Sequence, residues 1–303
     1  MVDVIDILLS DYRFSTIKEK INQRCLILEF IHKLHMGSAS SIDTSLTELQ
    51  INAENLHLLC SVQQYSQLKI LRLDELELDV FEVTPNLSTL EHFSISSNEL
   101  RKLPTEIHLL TSLVNLDISH NEITNIRRAC SLASLTVLRV DNNKIEKIPQ
   151  QISNLKNLKW GVFEFNKITT LPREICELTQ LTELYLNNNQ ITDIPAEINK
   201  LTKLQTLDIS SNKLTELPKE IFGIVSLCSL YLHENSIVEL NHSFDLLTNL
   251  QYLDISDNSI ASLHQSVCEM PSLRRIKLVN TPLAKDLRLT FPSKIKVLEH
   301  ECK

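Results

Sequence analysis

Apolar residues recur along this chain at two interleaved spacings, and those spacings predict its elements. The clearest stretch is Leu181-Thr-Glu-Leu184-Tyr-Leu186-Asn-Asn-Asn189-Gln-Ile191, with Leu184 and Leu186 two residues apart. On an extended strand that pair shares one face and Tyr185 takes the other. The phrase returns as Leu204-Leu207-Ile209-Asn212-Leu214, Leu227-Leu230-Leu232-Asn235-Ile237 and Leu250-Leu253-Ile255-Asn258-Ile260. Earlier copies carry the asparagine at Asn98, Asn121, Asn143 and Asn166, and degenerate copies hold Glu54, Leu76 and Thr281 in that slot. Successive slots lie 22 or 23 residues apart, so eleven units cover about three quarters of the chain. No single unit can cover its own apolar face; only stacked neighbours bury it.

The asparagine stands where the chain leaves the strand and backbone groups lose their ladder partners. A side-chain amide offers both donors and an acceptor there, so stacked asparagines are expected to form a structural ladder. The second half of the unit is patterned too, as Leu103-Pro104-Thr-Glu-Ile107, Ile148-Pro149-Gln-Gln-Ile152, Leu171-Pro172-Arg-Glu-Ile175, Ile194-Pro195-Ala-Glu-Ile198 and Leu217-Pro218-Lys-Glu-Ile221. Proline fixes φ and lacks an N–H, which suits the first position of a short helical turn, and the isoleucine three residues on docks that turn onto the core.

The phrase L-x-x-L-x-L-x-x-N-x-L with this LPxxI half resembles the 23-residue subclass of leucine-rich repeats. It is similar to cytosolic Ras-pathway and Scribble-like scaffolds, and to repeat effectors that intracellular bacteria deliver into host cells. The resemblance implies an α/β solenoid: a curved horseshoe with a parallel concave sheet and short helical or 3-10 turns on the convex side. Terminal repeats need covers. Residues 1–44 lack the motif, and Ile17, Ile21, Cys25, Leu28 and Ile31 recur at helical steps, which predicts a helical N-terminal cap. Residues 45–283 hold the eleven repeats. Residues 284–303 form a C-terminal cap, in which Ile295, Val297 and Leu298 predict a closing edge strand.

Composition narrows the function. The charge of −8 argues against nucleic acid as a partner. Three scattered glycines, Gly37, Gly161 and Gly223, cannot build a phosphate-cradling loop or a nucleophile elbow. Seven spread cysteines without a CxxC suggest a reducing, cytoplasmic setting, extending to a host cell if the source is bacterial. The acidic start is unlike a secretory signal, and Leu26–Ile31 is too short to insert in a membrane. The ten histidines and the cysteines form no catalytic or metal-ligand spacing, so neither an enzyme nor a cofactor is expected.

What remains is recognition of a protein by a chain expected to be monomeric alone. The third, fifth, seventh and eighth places of each unit point outward from the sheet. From Leu158 to Asn258 those places hold Glu164, Glu183, Asp208, Glu234, Asp254 and Asp257, with no Lys or Arg. They also hold Trp160, Phe165, Tyr185, Tyr231 and Tyr252, which include the only Trp and three of five Tyr. Tyr and Trp rimmed by carboxylates predict a hot spot for a partner with a basic and apolar surface. His233 and Arg139 lie in the same columns and join the candidate contacts. Such a module would act as scaffold, adaptor or inhibitor, or as regulator of a specific enzyme. One unit is anomalous: Gly161 stands where the others place an apolar core residue, so either Phe163 fills the gap or Trp160 turns inward.

Overall fold

The computed structural model describes residues 45–285 and 291–298, apart from 53–57, 59–61 and 63. The predicted N-terminal helix therefore lies outside the described residues. The first apolar residue of each L-x-L pair centres a three-residue strand, as Leu184 does in Glu183–Tyr185, and the second follows just after it. Twelve of these stack in sequence order into one parallel sheet, from Glu48–Gln50 to Lys296–Leu298. The register carries each place of one unit onto the same place of the next, so Glu183, Thr206, Ser229, Tyr252 and Arg275 form one column. Leu184, Leu207, Leu230 and Leu253 form the neighbouring column and are fully buried. Alternation along each strand thus separates a continuous core from one open face. Among the described residues there is no α-helix.

After each strand the backbone turns through the left-handed region. Ser97, His120, Asn142, Phe165, Asn188, Ser211, Glu234, Asp257 and Asn280 all have φ between 49° and 55°, each one residue before the asparagine slot. The slot residue then catches the freed groups. Asn189 Oδ1 accepts the Ile168 N–H at 2.9 Å, and its Nδ2 donates to the carbonyls of Phe163 at 2.9 Å and Leu186 at 3.0 Å. Asn121, Asn143, Asn166, Asn212, Asn235 and Asn258 repeat this arrangement.

The second half of most units is a 3-10 turn. Proline sits one place earlier than expected. Pro104, Pro149, Pro172, Pro195 and Pro218 are extended residues just before the turn, with φ from −58° to −74°. Each proline carbonyl accepts the N–H of the isoleucine three residues on, and those isoleucines are buried. Proline's fixed φ suits this position as well as the first turn residue, and its missing N–H costs nothing there. The ninth and tenth units lack the proline. Their backbones pair instead, as Glu239–Leu240 with Ser262–Leu263.

The Gly161 anomaly resolves in favour of Phe163. A Cβ at residue 161 would lie 2.9 Å from Phe163 Cε2, and Phe163 is fully buried. The ring occupies the space a leucine side chain takes elsewhere, which frees Trp160 to stand at the surface, 39% exposed. Gly161→Ala is expected to destabilise by about 1–3 kcal/mol, because the ring has a packed core behind it and must shift. Denaturant unfolding checks this.

Candidate recognition face

The outward columns of the sheet hold the aromatic residues singled out by sequence. Trp160 and Phe165 are exposed; Tyr185, Tyr231 and Tyr252 are half-buried. Tyr231 and Tyr252 come from adjacent strands, and the register brings their rings to 5.0 Å between centroids, tilted by 38°. Tyr185 donates its hydroxyl to Glu183 Oε2 at 2.7 Å. Burial and that acidic acceptor push its phenol up.

The carboxylates divide into two kinds. Asp254 is 3% exposed, and its Oδ2 lies 3.1 Å from Lys277 Nζ. Its Oδ1 accepts the Ser256 hydroxyl at 2.7 Å, and the Tyr252 hydroxyl donates to Oδ2 at 3.2 Å. The expectation that Asp254 projects negative potential is corrected by this geometry: its charge is answered inside the chain. His233 lies beside the same group, with Nδ1 3.8 Å from Asp254 Oδ2 and no hydrogen bond of its own. Arg139 is likewise engaged, with Nε 3.4 Å from Asp117 Oδ2 and 3.8 Å from Asp141 Oδ1. It serves as a countercharge within the sheet.

Glu164, Glu183 and Asp208 are the other kind. No ion pair holds any of them among the described residues. Asp208 accepts the Ser210 hydroxyl at 2.6 Å and the Ser210 N–H at 2.9 Å, a device shared with Asp117–Ser119 and Asp254–Ser256. Burial pushes the Asp208 carboxyl up, and the Asp254 charge adds to the effect. Glu164 is raised by burial first, with Asp141 and Asp208 adding to it and an amide hydrogen bond from Asn187 and the Arg139 charge offsetting part. The folded state therefore holds the Glu164 proton more tightly than the unfolded chain does. Ionised Glu164 opposes folding above that pKa, and the penalty disappears as pH falls through it toward the ordinary Glu range. Glu164→Gln is expected to be neutral or stabilising at pH 7, with its advantage shrinking on acidification. Paired melts at pH 7 and pH 4 read this directly.

Two of the described cysteines, Cys130 and Cys176, supply no nucleophile to this face. Cys130 and Cys176 are buried, and burial pushes both thiols up to about 12, so they stay protonated. No helix of the described residues is long and apolar enough to cross a membrane.

Comparison with known proteins agrees with this architecture. The family described as a leucine-rich repeat region matches residues 170–288, and a second leucine-rich repeat family matches residues 133–191. The volume-regulated anion channel subunit LRRC8D of Rattus norvegicus is 31% identical over 156 residues, which are 50% of this chain and 17% of that protein. The protein phosphatase 1 regulatory inhibitor subunit PPP1R7 homolog of Arabidopsis thaliana is 34% identical over 135 residues, 42% of this chain and 40% of that protein. The chain thus spans less than half the length of these curated relatives. A solved leucine-rich-repeat protein of Leptospira interrogans superposes with a TM-score of 0.66 at 27% identity, covering 84% of this chain and 72% of that one. The matched repeats and the twelve-stranded sheet they continue lead to one assignment: this chain is a leucine-rich-repeat protein.

Proposed function

We propose that this chain recognises a protein partner on the concave face of its sheet and works as a scaffold, adaptor or inhibitor without catalysis of its own. Leucine-rich-repeat domains generally mediate protein–protein interaction, and that general role underlies the reading. One observation carries the reading to this face: Trp160, Tyr185, Tyr231 and Tyr252 stand on the open side of the sheet beside Glu164, Glu183 and Asp208, which no ion pair holds among the described residues. Aromatic side chains rimmed by polar groups are what partner-binding hot spots are made of. Tyrosines that served only to pack across strands would need no such uncompensated charge beside them.

A second reading, regulation of an enzyme by binding it, is favoured by the likeness to a phosphatase regulatory subunit homolog. The free cysteines at 130, 176, 228 and 268 support a reducing compartment, with the cytoplasm as the setting. Affinity capture with the parent chain, a Trp160→Ala/Tyr231→Ala variant and the convex-face variant Lys219→Ala tests the site. A partner retained by the parent and Lys219→Ala but lost by the aromatic variant supports the concave face. Loss with Lys219→Ala alone contradicts it. Assaying the captured enzyme with and without the solenoid then separates scaffold from regulator.

A further inference from the structure

Positive charge is concentrated at one end of this acidic chain. Residues 270–298 hold seven Lys or Arg and a single acid, Asp286, whereas the whole chain has 30 basic and 38 acidic residues. The fold gathers Arg274, Arg275, Lys277, Lys294 and Lys296 around the last two strands of the sheet, Arg275–Lys277 and Lys296–Leu298. The register sets Arg275 directly beside Lys296, in the column that earlier units fill with Glu183, Thr206, Ser229 and Tyr252. Strands lie about 4.8 Å apart, and like charges that close weaken a sheet. A carboxylate from a neighbouring strand would offset the cost. Lys277 has one, with its Nζ 3.1 Å from Asp254 Oδ2. Arg274, Arg275, Lys294 and Lys296 are exposed, and no ion pair holds any of them among the described residues.

A cleft adjoins the Arg275–Lys296 pair at the rim of the sheet. Its volume is about 480 Å³, and it is lined by Gln251, Pro271, Ser272, Leu273, Arg274 and Lys294, with no carboxylate among them. Lys294 Nζ donates to the carbonyls of Met270 at 3.2 Å and Pro271 at 3.4 Å, which holds the ammonium against the cleft wall. The Lys296 N–H donates to the Arg274 carbonyl at 2.8 Å, so cleft and face meet at one backbone junction. Toward the middle of the sheet the basic end runs into the tyrosine pair: Arg275 Cζ lies 6.0 Å from the centre of the Tyr252 ring.

Resting on the concave-face reading above, we propose that Arg275 and Lys296, with Arg274 and Lys294 at the rim, bind an acidic segment of the protein partner beside the tyrosine pair. Complementary charge selects the guest, since each carboxylate that arrives relieves a repulsion the chain leaves unanswered. The cations are spread over two strands and a cleft, which suits carboxylates carried on successive residues of a chain. A nucleic-acid strand is a longer polyanion and would meet the acidic units of the same face. The site also gives the partner a direction: its acidic residues lie over the last unit and its apolar residues over Tyr231 and Tyr252.

Fluorescence polarisation on the full chain tests the site, with labelled hexaglutamate and hexaglutamine peptides as probes. Six extended residues reach about 20 Å, about four strand spacings, enough to span the basic end. The net charge of −8 repels an acidic peptide, so its binding reports the local patch. Hexaglutamate is expected to bind about tenfold more tightly than hexaglutamine, and added salt shrinks the gap. Arg275→Gln with Lys296→Gln is expected to erase the preference. Lys200→Gln with Lys219→Gln, which removes the same charge from exposed 3-10 turns, keeps it. Carbodiimide cross-linking of the unaltered chain gives a readout free of any folding effect: amides between peptide carboxylates and lysines should map to Lys294 and Lys296. Equal affinity for the two peptides, a preference that survives the Arg275/Lys296 variant, or cross-links scattered over the other lysines overturns the site. Tighter binding of a labelled single-stranded DNA than of hexaglutamate overturns it in favour of nucleic acid. In each of those cases the concave-face reading still stands if Tyr231→Ala releases the captured partner. A partner that survives Tyr231→Ala but is lost with Arg275→Gln and Lys296→Gln leaves the acidic-segment site standing and removes the tyrosine anchors.

Discussion

Asn189→Ala is expected to lower stability by about 2–3 kcal/mol, while the equivalent change at the array's end, Thr281→Ala, costs about 1 kcal/mol or less. The difference follows from what each side chain holds. Asn189 Oδ1 is the partner of the Ile168 N–H, and removing it leaves a buried donor with nothing to bond. The carbonyls suffer less, because each is shared between two rungs: Phe163 O also accepts from Asn166, and Leu186 O also accepts from Asn212. Thr281 makes a single side-chain bond, to the Leu278 carbonyl at 2.7 Å, and passes nothing to a neighbouring unit. In a solenoid the stability is a sum of units and their interfaces, so damage mid-array weakens two interfaces and damage at the end weakens one. Urea unfolding of the two variants beside the parent checks this, and equal losses would mean that the ladder is not what couples the units.

The second large effect concerns binding. Tyr231→Ala is expected to weaken partner affinity by about 2 kcal/mol or more, on the order of 30-fold, with most of the change in the dissociation rate. Tyr231 sits against Tyr252, and Tyr252 in turn donates to Asp254, so the pair is held in place before any partner arrives. A rigid, half-buried aromatic loses little freedom on binding, and that is what makes it a good anchor. Arg275 approaches the other side of the Tyr252 ring, 6.0 Å from its centroid. Titration calorimetry with the captured partner reads the loss. A Tyr231→Ala chain with unchanged affinity would move the anchor elsewhere on the sheet.

Much of the fold was legible because one unit is written eleven times. The two-residue spacing of Leu184 and Leu186 fixes which face of the strand is core, and the spacing of Asn slots fixes the register from unit to unit. Proline falls one residue before the place its chemistry predicts, since both the turn's first place and the place before it accept a fixed φ and need no N–H. The exchange at Gly161 and Phe163 has two outcomes by sequence alone, because which ring enters a cavity depends on packing from the neighbouring Leu158 and Leu184. The outward columns were also legible, as they follow from alternation. Their electrostatics were not. Asp254 and Asp208 share the same L-D-I-S phrase, yet one is neutralised by Lys277 from the next unit and the other is not, and that partnership spans 23 residues. By sequence Arg139 looks like a free contact for the same reason: its carboxylates belong to its own and the preceding unit.

Hydroxyl-radical footprinting of the free chain and of its complex tests the central claim most directly, because aromatic side chains report their own exposure. On this account Trp160, Tyr185, Tyr231 and Tyr252 lose reactivity together in the complex, while Val225 and Leu246, exposed on the connecting turns, keep theirs. Protection of Val225 and Leu246 with the four aromatics unchanged would place the partner on the other side of the solenoid and contradict recognition by the concave face.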